Sequence, residues 1–226
     1  MATIAENIQT VRANIAAALS GADRAVLLVA ATKMNDADRV REAIAAGVDG
    51  CGENRVQEFL EKDALGAYDG CPKHFIGHLQ RNKVRMILPY VDRIQSLDSL
   101  ELAQEIEKEC AKENRTMKCL AEFHLAQEDE NKTGLRKEDA FSFLDACAEF
   151  PHVNIEGIMV MGPHTEDKTR IKEVFQDAHD LYRSLQERYG QGIHILSMGM
   201  SADYPIAVEC GSNMVRVGTY LFTEDK

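Results

Sequence analysis

The sequence predicts an α/β fold, a single-domain (β/α)8 barrel of the TIM type with an extra helix at its N-terminus. Eight short apolar runs have the length and composition of buried strands, and amphipathic stretches separate them along the chain. Strands that alternate with helices form βαβ units in a parallel sheet. Eight such units in 226 residues fit a barrel at the small end of its size range. An open, doubly wound sheet is the alternative architecture.

The predicted elements follow one another in regular order. An amphipathic helix comes first, at about residues 3–20, and is expected to pack on the barrel. The predicted strands are 25–32, 48–53, 73–78, 92–98, 117–126, 153–162, 193–199 and 213–219. Apolar residues three and four apart predict helices between them, most clearly in DSLELAQEIEKECAKEN and TRIKEVFQDAHDLYRSLQERYG. No proline- or serine-rich linker interrupts this pattern, so residues 1–226 are expected to form one domain.

Composition argues against several classes of protein. The formal net charge of −11 disfavours a binding surface for nucleic acid or an anionic membrane. No apolar run approaches the roughly 20 residues that span a bilayer. The N-terminus lacks the basic start and the continuous apolar stretch of a signal peptide, so a cytoplasmic protein is expected. The six cysteines agree with a reducing compartment, because none of them forms a CxxC pair.

No metal site is expected from the sequence. None of the cysteines has the spacing of zinc ligands. His74 and His78 are four residues apart, but HFIGHLQ has the pattern of a strand followed by a turn. Their side chains would therefore not share one face of a helix, as paired ligands in a helical metal motif do.

Lys33 raises a question at the end of the first predicted strand, in the segment LLVAATKMND at residues 27–36. Lysine is costly to bury, so one interpretation is that its ammonium group has reached solvent at the strand end. The other interpretation is that it lies in a pocket and does chemistry. In barrels of this type, functional groups lie where the strands end and the βα loops begin, which is where Lys33 is expected.

Two further strand ends have residues suited to binding phosphate. The segment LSMGMSADYPIA brings Ser201 to the start of a predicted helix, and MVRVGTY provides Gly218 and Thr219. Each has a simpler explanation, since Ser201 fits an N-cap and Gly218 fits an ordinary barrel-closing turn. Together they are more specific, because the loops after strands 7 and 8 form the recurring phosphate site of such barrels. Strands 1 and 8 adjoin in a closed barrel, so Lys33 is expected to face this site.

Three other residues are candidates at the same end of the barrel. Arg216 is expected to point towards the interior or the mouth, where a guanidinium needs a carboxylate, phosphate or ring-nitrogen partner. Asn54 follows the second strand and is explained equally well as a cap of the next helix. His78 follows the third strand and fits either a structural role or a ligand contact.

These residues occur in motifs that resemble the pyridoxal-phosphate homeostasis proteins, which are single-domain barrel relatives of the alanine racemase N-terminal domain. The motifs are VAATK, GENRVQE, HFIGHLQRNK, QSLDS, NKTGL, GIMVMGP and LSMGMSADYPIAVECGSNMVRVGT. They stand in the order of that family, and the resemblance extends over nearly the whole chain. The last motif is long and specific, which makes chance agreement a poor explanation.

The resemblance implies a binding site for pyridoxal 5′-phosphate (PLP). The residues that it assigns to the cofactor are Lys33, Asn54, His78, Met198, Ser201, Arg216, Gly218 and Thr219. Lys33 would carry the cofactor as a Schiff base, and Ser201, Gly218 and Thr219 would hold its phosphate. Arg216 would face the pyridine nitrogen, and the other three residues would line the site.

Two functions remain open. The resemblance implies a non-catalytic carrier, expected to be a monomer, that buffers PLP and delivers it to PLP-dependent apoenzymes. The alternative is an amino-acid racemase, which needs two bases on opposite faces of the ring. Of the six tyrosines, only Tyr204 and Tyr220 lie in predicted mouth segments, both on the phosphate side, and no second domain is expected. An arginine at the ring nitrogen would leave that nitrogen unprotonated and weaken the ring as an electron sink, which is compatible with racemisation in the related racemases but works against broader PLP chemistry. A sugar-phosphate enzyme is a third alternative, but no pair of acid–base residues stands out for it.

Overall fold

Eight parallel strands close into a barrel in the computed structural model, which describes residues 2–126 and 133–223. The strands are β1 Leu27–Ala31, β2 Gly50–Glu53, β3 Lys73–Phe75, β4 Arg93–Leu97, β5 Met117–Phe123, β6 Val153–Val160, β7 Ile195–Met198 and β8 Met214–Val217. They pair in sequence order, and β1 closes the barrel against β8 with Leu28 opposite Val215. The predicted (β/α)8 barrel is confirmed, and the open doubly wound sheet is wrong.

Helices surround this barrel. In the described residues they are α1 Ile4–Leu19, α2 Ala37–Ala45, α3 Val56–Ala64, α4 Val84–Ile87, α5 Leu100–Lys112, α6 Ala140–Cys147, α7 Lys168–Tyr189, α8 Tyr204–Glu209 and α9 Thr219–Phe222. Helix α1 begins with a capping box, in which Thr3 and Glu6 each accept the other's backbone N–H. Its apolar face packs with residues of α8, β1 and β8 in one buried cluster. The extra N-terminal helix is therefore present and packs on the barrel.

The barrel has two separate apolar layers, one inside it and one between strands and helices. Ile195 of β7 lies in the lumen with Val29 and Met159. Leu196 and Met198 instead belong to the large cluster that the helices cover. Side chains alternate along a strand, so every second residue of a strand faces the lumen. This alternation decides which polar residues of the strands meet inside the barrel.

Two observations bear on the environment of the chain. None of the helices in residues 2–126 and 133–223 is long and apolar enough to cross a membrane. All six cysteines are free thiols in buried positions. A buried free cysteine packs as a small apolar side chain.

Candidate functional site

Ser201 and the turn after β8 form a hydrogen-bonded cradle at the mouth of the barrel, the end where the strands terminate. The Ser201 hydroxyl accepts hydrogen bonds from the backbone N–H groups of Gly218, at 3.3 Å, and Tyr220, at 3.2 Å. These N–H groups converge on a point that an oxygen atom occupies. Phosphate oxygens accept hydrogen bonds from the same kinds of donor. The cradle, defined as Ser201 and residues 218–220, therefore has the donor set of a phosphate site.

The chain reaches the cradle through a tight turn after β7. Gly199 has a φ of +99°, and a Cβ at this position would lie 2.6 Å from a side-chain atom of α8, so the turn requires glycine. The N–H of Met200 donates to the buried carboxylate of Asp203 at 2.6 Å, which closes the turn. Helix α8 begins only after Asp203, so the interpretation of Ser201 as a helix N-cap is wrong. The backbone N–H groups of the cradle come from the turn after β8.

Gly218 allows the turn after β8 to lie directly against β1. A Cβ at Gly218 would be 2.9 Å from the carbonyl oxygen of Ala31 and 3.1 Å from its Cβ. Both contacts are closer than ordinary packing allows, so a side chain would push the turn away from β1. The absence of that side chain brings the cradle next to the segment that carries Lys33.

Lys33 follows the last residue of β1 by two positions, and its side chain is exposed. Together with Gly218 and Thr219 it lines a cavity of about 200 Å³ at the barrel mouth. The two interpretations of Lys33 are therefore compatible, because the residue both reaches solvent and borders a pocket. The juxtaposition of Lys33 with the cradle follows from the pairing of β1 with β8.

Arg216 is buried in the barrel lumen below the mouth. Its Nη1 donates to the Ser197 hydroxyl at 2.7 Å, and its Nη2 donates to the Val160 carbonyl oxygen at 3.1 Å. Burial lowers the pKa of Arg216 to about 10, while the carboxylates of Glu122 and Asp203 oppose that shift. The guanidinium therefore stays charged at neutral pH and is held in one direction.

Polar lumen residues that the sequence analysis did not select surround Arg216. The Ser197 hydroxyl also donates to Gln95 Oε1 at 2.7 Å, and Gln95 contacts the His74 ring at 2.8 Å. Burial raises the pKa of Glu122 to about 7, with Asp98 adding to the shift and Arg216 opposing it. Ser197 and Glu122 are polar positions with apolar neighbours in their strands, and that signal would have found them in the sequence. Gln95 and His74 have polar neighbours in their strands and lack this signal.

Asn54 and His78 line a different cavity, of about 330 Å³, on the β2–β3 side of the mouth. Within the described part of the chain, the buried Oδ1 of Asn54 has no hydrogen-bond partner. The N-cap position of helix α3 is Arg55, so the interpretation of Asn54 as a helix cap is wrong. His78 Nδ1 is 2.9 Å from Asp98 Oδ2. An unpaired buried oxygen and an oriented imidazole are both groups that a ligand can use.

Met198 does not face the site with its side chain. It is fully buried between β7 and the helices, because Ser197 takes the inward position of the alternating strand. The expectation that the side chain of Met198 lines the site therefore needs correction. Tyr204 also faces away from the mouth, since its hydroxyl accepts a hydrogen bond from Asn14 of α1 at 2.8 Å. The first two residues of the motif NKTGL, 131 and 132, lie outside the described residues.

Comparisons with known proteins find similar chains and similar folds. The chain matches the family model described as alanine racemase, N-terminal domain, over residues 1–225. A relative named pyridoxal phosphate homeostasis protein, from Aquifex aeolicus (strain VF5), is 38% identical over 200 residues, which are 88% of this chain and 87% of that protein.

Solved structures show the same fold. PipY of Synechococcus elongatus PCC7942 with PLP bound has a TM-score of 0.86 and 33% identity, covering 98% of this chain and 100% of that one. The structure of PipY without PLP has a TM-score of 0.88. Alanine racemase from Clostridium difficile 630 has a TM-score of 0.76 at 17% identity, covering 97% of this chain but 57% of that one, which shows a shared fold alone.

Proposed function

The chain belongs to the pyridoxal phosphate homeostasis protein family, and from this membership we propose that it binds PLP at the barrel mouth and buffers or delivers it in the cytoplasm. The observation that carries the proposal is the cradle of Ser201, Gly218 and Tyr220 beside Lys33. Its donors, its neighbouring amine and its cavity of about 200 Å³ fit a phosphorylated aldehyde. The whole chain would act as one cofactor-binding domain and as a monomer.

Each residue of the site has a separate task in this proposal. When bound, PLP supplies an aldehyde that reacts with amines. We assign to Lys33 the amine that forms the C=N bond to this aldehyde, with release of one water. The Ser201 hydroxyl and the N–H groups of Gly218 and Tyr220 bind phosphate oxygens, and the Thr219 hydroxyl adds a further donor.

The remaining residues of the site are assigned to the ring. The guanidinium of Arg216, held by Ser197, is directed at the ring nitrogen. Because arginine does not give up its proton near neutral pH, it keeps that nitrogen an acceptor. The unpaired Oδ1 of Asn54 and the imidazole of His78 belong to the outer part of the site.

We assign a non-catalytic role to the protein. The relative from Aquifex aeolicus is named for homeostasis of PLP. The Tyr204 hydroxyl is engaged with Asn14 outside the barrel, which disfavours it as a second base. One observation favours the alternative of an amino-acid racemase: His78 lies at the mouth with Asp98 on its Nδ1, as a general base oriented by a carboxylate does.

The covalent assignment is tested by trapping. The protein is incubated with PLP, reduced with borohydride, digested, and mapped by mass spectrometry. We expect the phosphopyridoxyl group on Lys33, its loss in Lys33→Ala, and its retention in Lys83→Ala, which removes another lysine of the mouth. Labelling of Lys83 or another lysine in place of Lys33 would contradict the assignment.

The carrier role is tested by isotope exchange. The PLP-loaded protein is incubated with L-alanine in deuterium oxide, and α-deuteration and D-alanine are followed by NMR and chiral chromatography. A carrier gives no catalytic exchange. Rapid exchange that disappears in both Lys33→Ala and His78→Ala would instead establish the racemase alternative.

A further inference from the structure

Lys62 of α3 is a buried lysine beneath the segment that carries Lys33. Its side chain is only 8% exposed, and its ammonium group donates to three oxygens. These are the carbonyl oxygen of Thr32 at 2.7 Å, Glu53 Oε1 at 2.9 Å and Glu58 Oε1 at 2.8 Å. Lysine is rarely buried without such partners. The three acceptors therefore account for the position of Lys62, and they tie α3 to the end of β1.

The same network holds the backbone on both sides of Lys33. On the preceding side, the Thr32 carbonyl accepts from Lys62, and the Thr32 hydroxyl donates to Glu53 Oε1 at 3.0 Å. On the following side, the N–H of Met34 donates to Glu58 Oε1 at 2.5 Å. Lys33 is therefore bracketed by two hydrogen-bonded peptide groups that converge on Lys62 and its acidic partners.

Met34 needs this support because its backbone has an unfavourable conformation. Its φ is +61°, a left-handed value that residues other than glycine seldom adopt. Its side chain is 88% exposed, so little packing holds it in place. The hydrogen bond to Glu58 is one of three that stabilise the bend around Lys33. The other two come from Asn35, whose N–H donates to the Thr32 carbonyl oxygen at 3.1 Å and whose Nδ2 donates to the Lys33 carbonyl oxygen at 3.0 Å.

The charge of Glu58 favours its hydrogen bonds from Lys62 and from the Met34 N–H. Burial by itself would raise the pKa of Glu58, but hydrogen bonds from Lys62 and from the Met34 N–H bring that pKa below its usual value. Glu58 is therefore ionised at neutral pH and is a strong acceptor for both donors. Lys33 has no such anchor, since no hydrogen bond or ion pair engages its ammonium group within the described residues. The direction of the Lys33 side chain depends on its backbone.

We propose that Lys62 and Glu58 are positioning residues for Lys33, and that they set the direction from which its amine reaches the cofactor aldehyde. The inference rests on the proposed function, because it concerns the covalent step at Lys33. In that step the unprotonated amine bonds to the carbonyl carbon, a C=N bond replaces the C=O bond, and one water leaves. Within the described residues, neither positioning residue forms a hydrogen bond or an ion pair with the cradle, so we expect binding of the phosphate not to depend on them.

Two ligands separate the covalent step at Lys33 from the binding of the ring and the phosphate. PLP carries the aldehyde, whereas pyridoxine 5′-phosphate has the same ring and phosphate with an alcohol in its place. The alcohol cannot form the C=N bond, so its affinity reports on the cradle and the ring contacts alone. The absorbance change of PLP on forming the bond gives the rate of the covalent step.

The variant to measure is Glu58→Ala, with Glu61→Ala as its matched control on the same helix, where Glu61 accepts a hydrogen bond from Gln57 at the surface. We expect Glu58→Ala to weaken PLP binding and slow C=N formation about tenfold, as loss of a hydrogen bond to a charged acceptor does. Its affinity for pyridoxine 5′-phosphate should stay within about twofold. Glu61→Ala should leave both affinities unchanged, and Glu58→Gln, which keeps an oxygen for the Met34 N–H, should recover most of the PLP affinity.

The outcomes are distinct. An equal loss of both ligands in Glu58→Ala would show a general structural disturbance, and unchanged binding of both would show no role, so either result would overturn the inference. Thermal unfolding of each variant confirms that the barrel is intact. If the wild-type protein binds pyridoxine 5′-phosphate but forms no bond from Lys33 to PLP, the covalent assignment fails. If it binds neither ligand, the proposed function fails, and the inference fails with it.

Discussion

The two ends of the barrel contain similar polar residues but use them in opposite ways. At the amino-terminal end of the strands, Arg93 donates to Glu156 through Nε at 3.1 Å and Nη2 at 2.7 Å, and its Nη1 is 3.2 Å from His74 Nε2. These side chains are almost fully enclosed. At the mouth, Lys33 and Thr219 are exposed.

The difference shows which polar groups stabilise the fold and which are left to bind a ligand. A buried charge is tolerated only with partners. At the amino-terminal end, Glu156 and His74 are the partners of Arg93. At the mouth, the N–H groups of Gly218 and Tyr220 donate to the Ser201 hydroxyl, and a phosphate oxygen can take its place as the acceptor. Substitutions at the first end should therefore change stability, and those at the second should change ligand affinity.

The largest effect is expected from Arg93→Met at the amino-terminal end. The change leaves the Glu156 carboxylate buried without its ion-pair partner, and removal of one member of a buried pair costs about 3–5 kcal/mol. The exposed pair of Arg136 and Asp139, 2.9 Å apart, offers the control, for which Arg136→Met should cost under about 1 kcal/mol. Urea denaturation measures both. An equal effect of the two variants, or a selective loss of PLP affinity in Arg93→Met, would contradict the comparison.

A pH dependence of stability is expected next, from His74. Burial, together with the charges of Arg93 and Lys118, lowers the pKa of His74 from 6.5 to about 3. As the pH falls below 6.5, the unfolded chain takes up a proton on this side chain that the folded protein does not, so the free energy of unfolding decreases. The slope reaches about 1.4 kcal/mol per pH unit, or about 2 kcal/mol between pH 6.5 and 5. Denaturation curves of wild type and His74→Gln should diverge by this amount, and parallel curves would show that His74 does not titrate in this way.

Gly218→Ala should affect both stability and ligand binding. Its Cβ would lie 2.9 Å from the Ala31 carbonyl oxygen, and relieving such a contact costs about 1–3 kcal/mol. The shift would also move the Gly218 N–H away from the phosphate position, so PLP affinity should fall. Gly192→Ala is the control, because a Cβ there meets nothing within 4 Å. Calorimetry of unfolding and titration with PLP measure the two effects, and wild-type affinity in Gly218→Ala would place the phosphate elsewhere.

Ser201→Ala should have the smallest effect, confined to the ligand. Loss of one hydroxyl hydrogen bond costs about 1 kcal/mol, which is roughly a fivefold increase in Kd. Ser96→Ala provides a matched change of a buried serine, whose Oγ has no partner in the described part of the molecule. Titration with inorganic phosphate and with PLP should show the loss for Ser201→Ala alone. Equal affinities in both variants would remove Ser201 from the cradle.

Local patterns in the sequence were sufficient for the fold and for part of the site. All eight strands lie within the predicted apolar runs, although β3 ends at Phe75 and not at residue 78. After β3 the chain packs tightly against the residue that follows β2, since a Cβ on Gly77 would lie 2.3 Å from the Asn54 carbonyl oxygen. Such a contact depends on the neighbouring segment, and no local pattern encodes it.

The sequence by itself determined the order of the elements and favoured a barrel over an open sheet, and in a closed barrel it placed Lys33 beside the cradle. The physical reason is that apolar periodicity and glycines act over a few residues, and that strands of a closed barrel pair in chain order. Tertiary structure decided the rest: Ser197 faces inward and Met198 outward, Asn54 and His78 line a separate cavity, and Lys62 anchors the segment around Lys33. These outcomes depend on strand register and on contacts between residues such as Thr32 and Lys62, which lie far apart in the chain and meet only when the barrel has closed.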